Sequence, residues 1–177
     1  MRSYIKSESL PQRDSDEVLT LYTHYFLAAE LMFKNYKKLS AKWNQRGRQS
    51  QNDGVHNSIY FCTWLGFLAV TAEGFKKLAV RKLLQDARPP GFVELVPRAD
   101  ALGKLLKRND DALRKFRNNI FHLRESHAEI ERFLKELPNR LEWAEELHGA
   151  FSEFFSKYRI LCQVHYLIEN RNEEVFK

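Results

Sequence analysis

One short segment of the sequence carries residues whose types and spacing suit chemistry on a phosphodiester. It contains Arg117, Asn118 and His122. Residues four apart share one face of a helix, so Asn118 and His122 are expected to lie together. The long side chain of Arg117, about 100° round the helix axis, reaches the same rim. Apolar residues on other faces would anchor the segment in a core: Phe116, Ile120 and Phe121.

These three side chains match what RNA cleavage without a metal requires. Histidine suits the base that takes the proton of the ribose 2′-hydroxyl, because its pKa lies near neutrality. Arginine suits the phosphate, because its planar fork matches the oxygens and its charge is permanent. One imidazole cannot easily act as base and acid in a single step, and a two-fold dimer would supply a second. We therefore take Arg117, Asn118 and His122 as the candidate catalytic residues.

The run from Arg117 to His122 resembles the R-x4-6-H motif of HEPN domains, in the form with a polar residue after the arginine. The resemblance implies a helical bundle and a metal-independent endoribonuclease of a bacterial toxin–antitoxin or phage-defence system. It implies a homodimer with two motifs lining one cleft, and RNA products with 2′,3′-cyclic phosphate ends. Arg117 would contact the scissile phosphate, Asn118 would support it and His122 would transfer the proton. An antitoxin or regulator protein would be a further partner, and no cofactor is implied.

Two other interpretations of the same segment stay open. Some HEPN domains are non-catalytic, so the chain could be a helical module that binds nucleic acid or a partner protein. In a structural interpretation, His122 is a hydrogen-bonded histidine at a helix end and Asn118-Asn119 marks a kink. The guanidinium of Arg117 would then have a neighbouring carboxylate as its partner: Asp110, Asp111 or Glu125.

Positive charge is concentrated in the part of the chain that ends with the motif. Residues 1–122 contain 21 Lys and Arg against 12 Asp and Glu, and residues 123–177 contain 8 against 11. Such a distribution would attract a polyanion, RNA being one candidate, although solvated helix faces produce the same pattern. The basic residues beside the motif are the candidate RNA-binding residues: Arg114, Lys115 and Arg124.

Composition favours helices and excludes several classes of protein. The 7 glycines and 5 prolines are too few for a sandwich or barrel of many short strands. Cys62 and Cys162 are far apart, which gives neither a disulfide framework nor zinc spacing, and no metal or cofactor motif is present. Residues 1–15 lack the apolar centre of a signal peptide, and the apolar stretch 59–72 is too short to span a bilayer. We therefore expect a cytoplasmic protein without membrane contact.

Apolar periodicity predicts an all-α bundle, HEPN-like, with three long helices. They cover about 16–43, with Asp16 as the N-cap, 57–85 and 138–169, with shorter helices between them and a loop at 44–54. The first half of the second helix is apolar nearly all round, so we expect it at the centre of the bundle. Gly66 and Gly74 in this helix indicate close approach of neighbours. Residues 1–15 form a flexible N-terminal segment, and 16–177 form one HEPN-like helical domain.

Overall fold

The structure is a computed structural model that describes residues 10–48, 50–121, 128–135 and 139–175. Within these ranges there is no strand, and α-helices pack against one another, which confirms an all-α helical bundle. The α-helices are α1 Glu17–Leu21, α2 Leu27–Arg46, α3 Gln51–Lys77, α4 Val80–Asp86, α5 Val96–Leu106, α6 Asp110–Phe121, α7 Ala128–Lys135, α8 Asn139–Ile168 and α9 Asn172–Val175.

The first predicted long helix is confirmed, with one local widening. The carboxylate of Asp16 accepts hydrogen bonds from the backbone N–H groups of Val18, at 2.9 Å, and Leu19, at 3.0 Å, and so caps α1. One π-helical turn, Tyr22–Phe26, joins α1 to α2. The helical stretch then continues to Arg46, three residues beyond the predicted end, and stops where Gly47 adopts a φ of +65°.

The prediction of one helix over 57–85 is wrong at its start and in the middle, whereas its end is confirmed, since α4 ends at Asp86. The helix α3 already begins at Gln51, because the Ser50 hydroxyl accepts a hydrogen bond from Asp53 N at 3.1 Å and caps it. The expected loop at 44–54 is correspondingly short. The break that separates α3 from α4 falls at Ala79, whose φ of +47° no glycine or proline in the sequence signals. The predicted start at Pro138 lies outside the described residues, and α8 ends at Ile168.

The core is formed by α8 together with the part of α3 that begins at Trp64. The helix α8 buries one aromatic-rich stripe: Trp143, Leu147, Phe151, Phe154, Phe155 and Tyr158. In α3, by contrast, burial begins only at Trp64, and Val55 and Ile59 remain half exposed. The predicted central position of residues 59–70 is therefore confirmed for Trp64, Leu65 and Leu68, which are fully buried, and is wrong for Ile59 at the start of that stretch.

Two glycines of α3 allow other helices to approach closely, as predicted. A Cβ atom on Gly66 would lie 2.6 Å from the ring of Phe121 in α6. A Cβ atom on Gly74 would collide with the side chain of Leu21 in α1. Close packing by Phe121 and Leu21 thus offsets the cost of about 1 kcal/mol that each glycine carries in a helix.

Part of the predicted flexible N-terminal segment packs against the end of the chain. Leu10 is buried, and the backbone N–H of Arg13 donates to the Glu174 carboxylate at 2.9 Å. The Tyr166 hydroxyl donates to the carbonyl of Pro11 at 3.2 Å. Residues 10–15 therefore belong to the packed domain, and residues 1–9 lie outside the described ranges.

One helix meets the length and composition of a membrane span. The helix α3 is 27 residues long, and its most apolar window has a mean hydropathy of 1.2. Buried core helices of soluble proteins meet the same criterion, and α3 packs against both α2 and α6. The finding is compatible with a soluble protein.

A histidine inside the core makes stability depend on pH. His148 is buried between the rings of Phe26 and Phe33, and its Nδ1 accepts a hydrogen bond from the indole N–H of Trp64 at 3.3 Å. Burial lowers the pKa of His148 to about 4 from an ordinary 6.5. The folded protein therefore holds this imidazole neutral, whereas the unfolded chain protonates it below pH 6.5.

We expect the free energy of unfolding to fall by about 3 kcal/mol from this group as the pH drops from 6.5 to 4. The full contribution is present above pH 6.5, since the imidazole is then neutral in both states. Urea unfolding of wild type and His148→Gln at several pH values measures it, with His24→Gln as an exposed control. Equal pH dependence in wild type and His148→Gln would contradict the assignment.

Candidate functional site

The described part of the candidate motif, residues 117–121, lies on α6, which packs antiparallel to α3. Asp110 and Asp111 stand in the first turn of α6, where carboxylates interact favourably with the positive end of a helix. Leu113 and Phe116 are buried and hold the helix on the core. Asp110, at the start of α6, binds Lys76 near the end of α3, whereas the last residue of α6 lies over the middle of α3.

One face of α6 carries the contacts with α3. Asp110, Arg117 and Phe121, at spacings of seven and four, contact α3 from this face. The Nη2 of Arg117 lies 2.5 Å from the Oε1 of Glu73. The predicted structural partners of Arg117 were carboxylates near it in sequence. That expectation is wrong for Asp110 and Asp111, which bind Lys76 and Arg114 instead, and Glu125 lies outside the described residues.

The ion pair holds the Arg117 guanidinium, and among the described residues the guanidinium donates to Glu73 alone. The side chain of Arg117 is 21% exposed, so it lies at the rim of the α3–α6 contact. Its Nε is buried and makes no hydrogen bond with any described residue. A guanidinium carries five N–H donors, and Glu73 accepts from one nitrogen only. The arrangement orients a cation at the partly exposed rim of the α3–α6 contact.

The two asparagines that follow Arg117 do not kink the helix. The helix α6 continues without a break to Phe121, and the Asn119 side chain donates to the carbonyl of Lys115 at 3.1 Å on the same helix. Asn118 is partly buried, and its amide makes no hydrogen bond within the ranges that the structure covers.

The remaining motif residue follows α6 directly in the sequence. His122 and Arg124 lie outside the described residues, so the structure gives no distance from His122 to Arg117 or Asn118. Two of the three candidate catalytic residues, Arg117 and Asn118, are thus placed at the end of one helix.

The described RNA-binding candidates share one carboxylate. Asp111 lies 2.5 Å from a terminal nitrogen of Arg114 and 2.8 Å from the Nζ of Lys115. The hydrogen bonds from Lys115 and Arg114 lower the pKa of Asp111, and the contact with Asp111 raises the pKa of Arg114. Both basic side chains remain about half exposed, so they can contact a phosphate, with Asp111 offsetting part of their charge.

A second charged feature lies next to the start of α6. Between the end of α3, α4 and α5 there is a groove of about 760 Å³. Five cationic residues line it: Lys76, Arg81, Lys82, Lys104 and Lys107. In the sequence these residues are only part of the basic stretch 1–122. They come together because of the way α4 and α5 pack, which the sequence does not reveal. We refer to this feature as the α4–α5 groove.

Both cysteines and His165 are accounted for by burial or by a local pair. Burial raises the pKa of both cysteine thiols, Cys62 and Cys162, and neither forms a disulfide. His165 lies 2.9 Å from the Glu169 carboxylate one turn away. Among the described residues no group of three or more His, Cys, Asp or Glu side chains could hold a metal ion.

Comparison with known proteins gives no match, since no family model fits the sequence and no curated protein or solved structure is significantly similar to it.

Proposed function

We propose that this protein is a metal-independent endoribonuclease of HEPN type, with Arg117, Asn118 and His122 acting on one phosphodiester. The observation that carries the proposal is the state of Arg117: partly exposed, oriented by Glu73, and followed along α6 by an amide without a partner among the described residues. An arginine held in this way meets a phosphate at little further entropic cost.

The proposed reaction is an internal transfer at phosphorus. The imidazole of His122 takes the proton of the 2′-hydroxyl, the O2′–P bond forms and the P–O5′ bond breaks. Arg117 offsets the charge that builds on the phosphoryl oxygens, and Asn118 orients them. A second imidazole or a water gives a proton to O5′, which leaves a 2′,3′-cyclic phosphate and a 5′-hydroxyl.

A homodimer is part of the proposal because one imidazole serves one proton transfer. Ile59, Gly66 and Glu73 are seven apart and share one face of α3. Ile59 is 52% exposed, and Phe121, which covers Gly66, is 45% exposed. This apolar surface beside the Arg117–Glu73 pair supports a second copy docking next to the motif. A toxin–antitoxin or phage-defence setting, with a regulator protein, is proposed on the motif alone.

The second candidate is a non-catalytic helical module that binds nucleic acid. It is favoured by the same ion pair, because an arginine bound to Glu73 also has a purely structural explanation. In that case the basic residues of the stretch 1–122 bind RNA, and the protein does not cleave it. This second function differs from the first in one respect, because it does not require His122.

One experiment separates the two candidates. Purified protein is incubated with single-stranded RNA and tRNA in EDTA, and the molar mass is measured by light scattering. The first candidate predicts RNA fragments, their loss in His122→Ala, and twice the 21.0 kDa mass of the chain. Intact RNA with wild-type protein, together with unchanged RNA binding by His122→Ala, would favour the non-catalytic module.

A further inference from the structure

The α4–α5 groove combines an apolar floor with a cationic rim. Phe75, Val80, Ala99 and Leu106 form the floor and are nearly fully buried. The walls beside them are low, because Ala79 and Gly103 carry little or no side chain. Its volume of about 760 Å³ lies within the range of about 300–1,000 Å³ that is usual for ligand sites.

The charges in this groove do not cancel. Each of its two carboxylates is bound to one cation. Asp110 pairs with Lys76, and the Oδ1 of Asp100 lies 3.3 Å from the Nε of Arg81. Lys104 and Lys107 also line the groove, are exposed, and form no ion pair with any described residue. An excess of positive charge therefore borders an apolar surface, which is the combination that a nucleotide matches with its phosphate and its base.

The groove borders the first residue of α6, the helix that carries Arg117. Asp110 lines the groove and begins α6, and Arg117 follows seven residues later, about 10 Å along the helix axis. That distance corresponds to about three nucleotides at the 3.4 Å spacing of stacked bases in one strand. Arg114 lies between the two positions on the same face of α6.

We infer that the α4–α5 groove binds a segment of single-stranded RNA, with a base on the apolar floor and phosphates at Lys104 and Lys107. The strand then runs along α6 towards Arg117. The choice of RNA over another polyanion rests on the proposed function.

Gly103 offers a way to close the groove without disturbing the fold. A Cβ atom added at Gly103 would meet no protein atom within 4 Å, and the residue lies inside α5. Gly103→Ala should therefore preserve the fold, since alanine favours a helix. Gly103→Glu places a carboxylate beside the lysines. Comparison with Gly103→Ala then separates the effect of the added charge and volume on binding from the effect of replacing a glycine in a helix.

Binding is measured by fluorescence anisotropy with a 2′-O-methyl oligouridylate ten nucleotides long, which has no 2′-hydroxyl to attack. We expect Gly103→Glu and the double variant Lys104→Glu/Lys107→Glu to weaken binding about 10-fold or more at low salt. Gly103→Ala should stay within about twofold. Loss of two phosphate contacts should reduce the slope of log K against log salt by about 1.4.

A matched control carries the same change of charge elsewhere. Lys38→Glu/Lys157→Glu alters two exposed lysines of α2 and α8 that do not line the groove. Equal weakening in this control, or no binding by wild-type protein, would overturn the inference. So would equal competition by uridine monophosphate or by an acidic peptide of ten glutamates, since the occupant would then not be an RNA strand.

These experiments can refute the groove inference and the proposed nuclease function independently of each other. If the RNA is cleaved through His122 but the groove variants bind normally, the groove inference fails and the proposed function stands. If the groove variants lose binding but wild-type protein cleaves no RNA, the groove inference stands and the proposed nuclease fails. Circular dichroism of each variant confirms that it is folded.

Discussion

Replacing His122 by alanine should lower kcat/KM for RNA cleavage by a factor of about 10² to 10⁴, the usual contribution of a general base. Replacing Arg117 by alanine should lower it by about 10² to 10³, because a preorganised donor at the developing charge is lost. Lysine at position 117 keeps the charge but not the planar fork, so we expect only partial recovery. The rates are measured in EDTA with a defined RNA.

The Glu73 carboxylate gives this prediction a structural control. Its oxygen lies 2.5 Å from the Arg117 guanidinium, and it is the side chain that fixes the orientation of that group. Glu73→Gln should therefore reduce kcat by about 10-fold through misplacement of Arg117, and have little further effect in an Arg117→Ala background. Arg108→Ala, which removes an exposed arginine bound to Glu146, should be neutral. Additive losses in the double variant would show that Glu73 does not act through Arg117.

Replacing Arg88 by methionine should destabilise the fold by about 3 to 5 kcal/mol, because it leaves a buried carboxylate without its cation. Arg88 and Asp16 are both buried, and the Arg88 Nη2 lies 3.3 Å from the Asp16 Oδ2. The Tyr158 hydroxyl accepts from the Arg88 Nε at 2.6 Å and donates to Asp16 at 2.7 Å. Burial alone would lower the pKa of Arg88, but Tyr158 and Asp16 outweigh it and raise this pKa.

A compensating variant tests the cause of that loss. Asp16→Asn removes the negative charge while keeping an oxygen that can cap α1. The double variant Asp16→Asn/Arg88→Met should therefore be more stable than Arg88→Met alone in urea unfolding at pH 7. Arg108→Met, at an exposed ion pair, should cost no more than about 1 kcal/mol. A loss at Arg88→Met as small as at Arg108→Met would refute the buried-charge explanation.

The parts of the fold that local patterns determine could be predicted from the sequence. Asp16 caps the first helix because a carboxylate preceding an apolar stripe satisfies free N–H groups locally. The aromatic stripe of α8 is buried because its spacing follows the helical period. The break at Ala79 could not be predicted, since its positive φ falls on a residue that carries no turn signal.

The contacts that define the site depend on residues far apart in the chain. Glu73 and Arg117 are 44 positions apart, and Arg88 meets Tyr158 across 70 positions, so no local spacing reveals either pair. Arg88 stands before two prolines, and that local pattern indicates only a break between helices. The basic groove has the same origin, because α4 and α5 bring together cations that are scattered in sequence. The sequence could identify Arg117 as a candidate by residue type, but not the carboxylate that holds it.

The most direct test of the central claim is the chemistry of the cleaved ends. A defined RNA is incubated with wild-type protein in EDTA, and the fragments are analysed by mass spectrometry, alongside an RNA carrying a single 2′-deoxy nucleotide at the cleaved position. Attack by the 2′-hydroxyl predicts a 2′,3′-cyclic phosphate on one fragment, a 5′-hydroxyl on the other, and no cleavage of the deoxy substrate. Cleavage of the deoxy substrate, or 5′-phosphate ends, would contradict the roles assigned to Arg117, Asn118 and His122.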